Sequence, residues 1–491
     1  MKTLLGIDFG GSSTKATLLG VDGTILAEHS VEYPTYYPSL GFCEQKPEDW
    51  VKALCENVRA LLTKSGADPH DILAVAVDSA THTWVATDDA FRPLFPAIHW
   101  TDSRSRDEAS HLKAEAGEMI FQKTFHKPDT IWTLPQMLWV KEHLPEAFGK
   151  IRHVMFEKDY LRLFLTGTYG TDTIDAQGSM LFDCTKMAWS DELMHLSGLS
   201  MDVLPECDNA RDVIGSVTEE AARLTGLVCG TPVLAGTTDT VMEIFASGAV
   251  SYGDATVKLA TAGRICVMTD RPYPDRDLVN YSHVVPGLWY PGSATKAAAS
   301  SLRWYRDTFG GDYRELDEAA AKIPVGSVGL VFHPYINGEL TPYADPDLCG
   351  SFTGIRATHT KAHFTRAVLE GVAFSLMASE KKLRELRLPL ADHATLIGGG
   401  AKSPLWQSIV SDALGLKLTV TESSDSSLGS AMLAGLSVGA FASPRDAVNA
   451  AVKIKKTITP NEENTKKYQS LFAEYEAIHD GLAPIYRERG K

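Results

Sequence analysis

Hydrophobic positions in this chain fall into two periods. Residues 4–8 form a short apolar run ending in an acid, Asp8. After the turn Phe9-Gly10-Gly11-Ser12-Ser13 a second run covers 14–19, and Val21-Asp22-Gly23 turns the chain into a third, 24–27. Turns this short join antiparallel strands, because a parallel crossover needs a dozen or more residues, so the pattern predicts a meander. Over 47–64 the period changes. Trp50, Leu54, Val58, Leu61 and Leu62 share one face of an amphipathic helix. Residues 72–77 are continuously apolar, as in a strand covered on both faces.

A second meander is expected further on, with strands at 255–260, 264–268 and 288–290. Helical patterns follow at 297–308 and 360–387, and a buried strand at 394–397 runs into Gly398-Gly399-Gly400. The same design is thus used twice, although the halves share little residue identity. The boundary is placed near residue 245, giving lobes 1–245 and 246–491, the latter ending in a helix-like tail after 440. No Pro/Ser-rich linker marks it, so the lobes are expected to pack closely and share a cleft.

Composition narrows the class. A chain of 491 residues is too long for one core, and with 44% apolar and 22% charged residues it is ordinary globular material. Its formal net charge of −15 argues against gripping nucleic acid or an anionic membrane. No run of about 18 apolar residues could span a bilayer, and Asp8 interrupts any signal-peptide pattern. The seven dispersed cysteines, without a C-x-x-C pair, read as buried reduced thiols of a cytoplasmic protein.

Three segments could carry chemistry. In Asp8-Phe9-Gly10-Gly11-Ser12-Ser13-Thr14-Lys15, glycine amides and hydroxyls suit phosphate oxygens and the acid suits Mg²⁺. A plain Gly-Ser hairpin is the alternative. In Gly236-Thr237-Thr238-Asp239-Thr240, between an apolar strand and the helix pattern 241–246, the acid is either a general base or an ordinary N-cap. In Leu396 to Pro404, three glycines leave a bare surface on which a flat ring could lie; close helix–strand packing is the alternative. Ser403 should cap a helix that starts at Pro404 and stops at Gly415. Asp78-Ser79-Ala80-Thr81-His82-Thr83-Trp84 brings polar groups to a strand's C-terminal end. His359 and His363 have zinc-like spacing, but no Glu follows the first and no third ligand is evident, so zinc is rejected there.

The order of these features resembles the FGGY carbohydrate kinases, of the sugar kinase/actin/Hsp70 ATPase superfamily. Gly350-Ser351-Phe352-Thr353-Gly354-Ile355, then seven residues, then His363 to Gly371 is similar to that family's C-terminal signature. Phe332 to Glu339, Lys158 to Leu163 and Leu396 to Ser403 are similar to its xylulokinase branch. The resemblance implies an α/β fold of two actin-like, ribonuclease H-like lobes with an interlobe catalytic cleft. It implies ATP, Mg²⁺ and transfer of the γ-phosphoryl group to a sugar hydroxyl. It makes Asp239 the catalytic base and Asp8 the metal- and phosphate-side carboxylate. Gly11, Ser12 and Ser13 become the first phosphate loop, Thr261 and Gly263 the second, and Gly399 and Gly400 the adenosine loop. Thr81, His82, Trp100, Asp102 and Asp239 fall at acceptor-side positions. A homodimer is what such relatives suggest.

Departures concentrate on the acceptor side. Ala80-Thr81-His82-Thr83 replaces the usual Gln-Met-His-Gly, Thr237, Thr238 and Thr240 surround Asp239, and Leu340 replaces an arginine. Such changes can redirect specificity; the resemblance makes D-xylulose the leading substrate, with ribulose, a polyol or gluconate close behind it. A nucleotide-binding scaffold without kinase activity is the alternative of another class.

Overall fold

The computed structural model describes residues 1–489. The chain forms two compact units. The first contains Met1–Gly248, Tyr281–Pro286 and Ser423–Val452; the second contains Ala249–Asn280, Gly287–Glu422 and the chain from Lys453 onward.

In the first unit the expected meander is β1 (Thr3–Phe9), β2 (Ser13–Gly20) and β3 (Ile25–Glu32), paired antiparallel. The Ile72–Ser79 strand lies parallel to β1, Pro232–Leu234 lies parallel to that, and Val213–Ser216 closes the edge antiparallel. Helix α1 (Pro47–Ser65) starts with proline in its first turn and stops where Gly66 takes a φ of 62°. Its stripe of Trp50, Leu54, Val58 and Leu61 is buried against Leu5, Ile7 and Leu18. Each such side chain contributes about 1.5–3 kcal/mol of burial.

The second unit repeats this order and these senses. Gly292–Ala294, Gly263–Val267 and Ala255–Leu259 form the meander. His393–Ile397 and Lys417–Thr421 follow in parallel, and Ile454–Ile458 closes antiparallel. The expected third strand at 288–290 is displaced. Trp289 makes only a single bridge to Thr269, and the ladder starts beyond Pro291, which has no N–H to contribute. The long helix Lys361–Glu385, with Val368, Leu369, Val372 and Leu376 inside, anchors the core with Trp406 and Ile409.

The first unit's main stretch ends at Gly248, beside the expected boundary near 245, but the second lobe is not one continuous stretch. Ser423–Val452 belongs to the first unit. Its helix Ser426–Ser437 packs so closely on β1 that a Cβ on Gly6 would lie 1.9 Å from the Ser427 carbonyl oxygen, and one on Gly429 would lie 2.2 Å from that of Met242. The Thr17 and Ser427 hydroxyls, 2.7 Å apart, join the same contact.

The cysteines are free; Cys43, Cys184 and Cys266 are buried, whereas Cys229 and Cys349 are exposed, against the expectation of uniform burial. Among the described residues no helix is long and apolar enough to cross a membrane.

Candidate active site

Three neighbouring strands of the first unit deliver acids to one edge. The parallel register of β1 sets Asp8 opposite Asp78, and the short strand Thr237–Thr238 pairs with Asp78 and Ser79 on the other side. The chain then turns directly into the helix Asp239–Ala246. Asp239 is the first helical residue rather than its N-cap, which is Thr238. Its Oδ1 faces the hydroxyls of Thr81, at 3.4 Å, and Thr240, at 3.2 Å. The C-terminal edge of parallel strands is where ligands of open α/β sheets bind.

The crowding of carboxylates shows in their proton affinities. Burial, only partly countered by a hydrogen bond with Asp78, pushes Asp8 up to about 7, and the charges of Asp239 and Asp425 add to the rise. Asp78 is raised well above the usual carboxylate range by burial and then by Asp8. The Asp78 Oδ2 accepts from the Ser430 hydroxyl. Glu157, fully buried behind them, is raised well above its usual range, first by burial. The Tyr33 hydroxyl lies 3.2 Å from its Oε1 and donates to the Gly10 carbonyl.

The Gly10–Ser13 turn is closed by the Gly10 N–H on the Ser13 carbonyl at 3.0 Å. The Gly11 carbonyl accepts from Thr35 Oγ1 at 2.7 Å and Gln45 Nε2 at 2.9 Å, and the Ser12 carbonyl from the Tyr33 N–H at 3.0 Å. The turn's carbonyls are thus taken by protein donors, while Gly11 and Ser12 stay exposed. Such a turn favours an anion over a cation.

The residues expected on the acceptor side divide. Thr81 reaches Asp239. His82 is buried at a φ of 52°, with its N–H on Asp175 Oδ1 at 3.1 Å and its ring 4.8 Å from that of Trp132. Trp100 is exposed, 40% of its surface being open. Asp102 is occupied otherwise: Arg104 grips both its oxygens at 2.8–3.0 Å, and the Cys43 N–H takes Oδ2 at 2.6 Å. Arg104 in turn stacks on Phe42 and bonds Glu44, so Asp102 organises this loop.

In the second unit the turn corresponding to Gly10–Ser13 exposes Thr261. Its carbonyl accepts from Ala298 N–H at 2.9 Å and Ser300 Oγ at 2.7 Å, while buried Gly263 bonds Thr295 through its N–H and carbonyl. Of the glycine triplet, Gly399 is open, with no atom within 4 Å of a Cβ built there. Gly400 is buried, and a Cβ there would lie 2.8 Å from that of Leu259. Gly400 therefore serves close packing, while Gly399 leaves an open backbone surface. They line a pocket of about 740 Å³ with Ala299, Leu302, Tyr313 and Pro404. Ser403 caps the helix Pro404–Leu414, and Gly415 ends it at a φ of 64°. His359 and His363 serve as local caps, their Nδ1 atoms accepting from the Arg356 and Thr360 N–H groups.

Sequence reasoning missed Glu157, Asp172, Asp175 and Ser430. Glu157 ends the apolar run Val154-Met155-Phe156, where an acid needs a buried partner, whereas Asp172 and Asp175 stand in the mixed, threonine-rich stretch Thr171-Asp172-Thr173-Ile174-Asp175. Ser430 carried no such signal.

Residues 3–246 match the model of the N-terminal domain of the FGGY family of carbohydrate kinases, and residues 248–438 match that of its C-terminal domain. A xylulose kinase of Bacillus subtilis is 32% identical over 98% of this chain and 97% of its own length. A gluconokinase of the same species is 29% identical over 95% of this chain and 94% of its own. The crystal structure of xylulose kinase from Rhodospirillum rubrum superposes with a TM-score of 0.92 at 29% identity, covering 99% of this chain and all of that one. These matches make the chain an ATP-dependent sugar kinase with the fold of that class. The chain belongs to the FGGY family of carbohydrate kinases.

Proposed function

We propose that the acceptor is a ketopentose, D-xylulose first, and that Asp239 is the general base. The observation that supports this reading is Asp239 Oδ1 at the acid-lined strand edge, facing the hydroxyls of Thr81 and Thr240. The acceptor hydroxyl would give its proton to Asp239 as its oxygen attacks the γ-phosphorus. One O–P bond forms, the bond from phosphorus to the bridging oxygen breaks, and its electron pair leaves with ADP. Gly11, Ser12 and Ser13 would take the phosphates in the first unit, Thr261 assists from its own turn, and the Gly399 surface takes adenosine.

Mg²⁺ fits the donor set. Asp8 is a hard oxygen ligand with a buried Oδ1 that has no protein hydrogen bond, in a field of surplus negative charge. Asp8 would hold the ion, and the ion supplies neutralisation of phosphate charge when bound.

Gluconate is the second reading, favoured by the gluconokinase relative. ADP release measured across ketoses, polyols and aldonates tests both. Turnover with D-xylulose above all others is expected. ADP release independent of any sugar, or none with every sugar, would overturn the kinase reading in favour of a nucleotide-binding scaffold.

A further inference from the structure

A buried ammonium ties together the two segments that flank Asp239. Lys158 opens the second position of the helix Glu157–Thr166, and no part of its side chain reaches solvent. Its Nζ lies 2.6 Å from Asp159 Oδ1, 3.1 Å from Asp172 Oδ1 and 3.5 Å from Asp175 Oδ2, all equally buried. Arg162 also binds Asp159, at 2.8 Å, together with the Ala235 carbonyl at 3.0 Å. Asp159 is thereby shared, and Lys158 is the cation that Asp172 and Asp175 have in common.

From Asp172 one path leads to the base. Its Oδ2 accepts from the Thr237 hydroxyl at 2.9 Å, two residues before Asp239. From Asp175 the other leads to the acceptor loop. Its Oδ1 accepts from the N–H of His82 at 3.1 Å, the residue held at a left-handed φ. The neighbouring Thr81 hydroxyl then meets Asp239 Oδ1. The contacts close a ring: Asp239, Thr81, His82, Asp175, Lys158, Asp172, Thr237 and back to Asp239.

We propose that Lys158 is a positioning residue that, through Asp172 and Asp175, fixes the distance between Asp239 and the Thr81–His82 segment. The inference rests on Asp239 being the base. The ring's geometry sets where an acceptor hydroxyl lies relative to its proton acceptor, while the phosphate and adenosine turns stand outside it. Burial alone would lower the proton affinity of Lys158, but the three carboxylates outweigh it and raise it, so the ammonium stays charged. A misplacement of about 1 Å at a reacting pair costs about a hundredfold in rate.

Steady-state kinetics of the full chain with D-xylulose and ATP test this. Lys158→Met strands buried carboxylates and risks misfolding, so Thr237→Val carries the test: it removes one hydroxyl while Asp172 Oδ2 keeps the Ile174 N–H. Thr237→Val should lower kcat by about ten- to a hundredfold, leave the KM for ATP unchanged, and be rescued by Thr237→Ser. A soluble, folded Lys158→Met should lose at least as much. An unchanged kcat in Thr237→Val, a matching rise in the KM for ATP, or no rescue by serine would overturn the positioning role alone. Wild-type protein silent toward every acceptor would sink the assignment of the base as well.

Discussion

Asp8 and Asp78 face each other across the parallel pairing of β1 with the Ile72–Ser79 strand, and burial raises the proton affinity of both carboxyl groups. The Ser430 hydroxyl donates to the far oxygen of Asp78. Removing it leaves a buried acceptor without that partner, which costs about 1–3 kcal/mol. Ser430→Ala should therefore unfold at lower urea concentration than wild type. Asp78→Asn, which keeps both a donor and an acceptor, should stay close to wild type. Equal midpoints for wild type and Ser430→Ala would show that the serine contact contributes nothing.

Asp239→Asn keeps the shape of the side chain and removes its ability to take a proton. Loss of a general base lowers turnover by about 10²–10⁴-fold. Sugar phosphorylation should fall by that order while ATP binding, followed by calorimetry, persists. Full activity in this variant is incompatible with the base assignment.

Gly399 and Gly400 are neighbours with opposite expected responses. Alanine at Gly399 meets no atom of the protein, so the fold should be unaffected while the KM for ATP rises. Alanine at Gly400 meets Leu259 and Trp406 at 2.8–3.1 Å, so thermal stability should drop. Thermal melts beside ATP titrations separate the two effects, and an unchanged KM in Gly399→Ala would remove that glycine from the adenosine surface.

Glu339 gives the second unit a pH-dependent stability. Burial raises its carboxyl to about 7, against the N–H groups of Leu340 and Lys296 and the Ser375 hydroxyl that favour its charged form. Between the unfolded value of about 4.5 and about 7 the folded state holds a proton that the unfolded chain releases, so stability falls as pH rises through this window. The full loss corresponds to about 3 kcal/mol. In Glu339→Gln that component should be absent, so its stability relative to wild type should improve from about pH 5 to about pH 8. Parallel pH profiles for both proteins would contradict the buried-proton account.

Most elements were legible because their signals are local. The meanders followed from turn length, α1 from its 3.6-residue stripe over 47–64, and the Pro404 helix from Ser403 and Gly415. The displaced third strand of the second meander was not, since Trp289 and Tyr290 have strand-like character and only pairing reveals that Pro291 delays the ladder. Asp8 and Asp239 were visible as acids at strand ends. Asp102 was placed on the acceptor side by resemblance alone, and only the tertiary structure shows its carboxylate held by Arg104 and the Cys43 N–H.

The sequence by itself determined the duplicated order of strands and helices, the glycine turns and the acids that end the strands, because hydrophobic period and turn chemistry act over a few residues. Tertiary structure alone decided which acids meet. Ser430 reaches Asp78 across 352 residues, and Lys158 gathers Asp172 and Asp175 to brace Thr237 and His82. Such contacts depend on burial and on register between distant strands. A buried carboxylate takes its proton affinity and its partner from whatever the fold packs against it, and no local pattern records that.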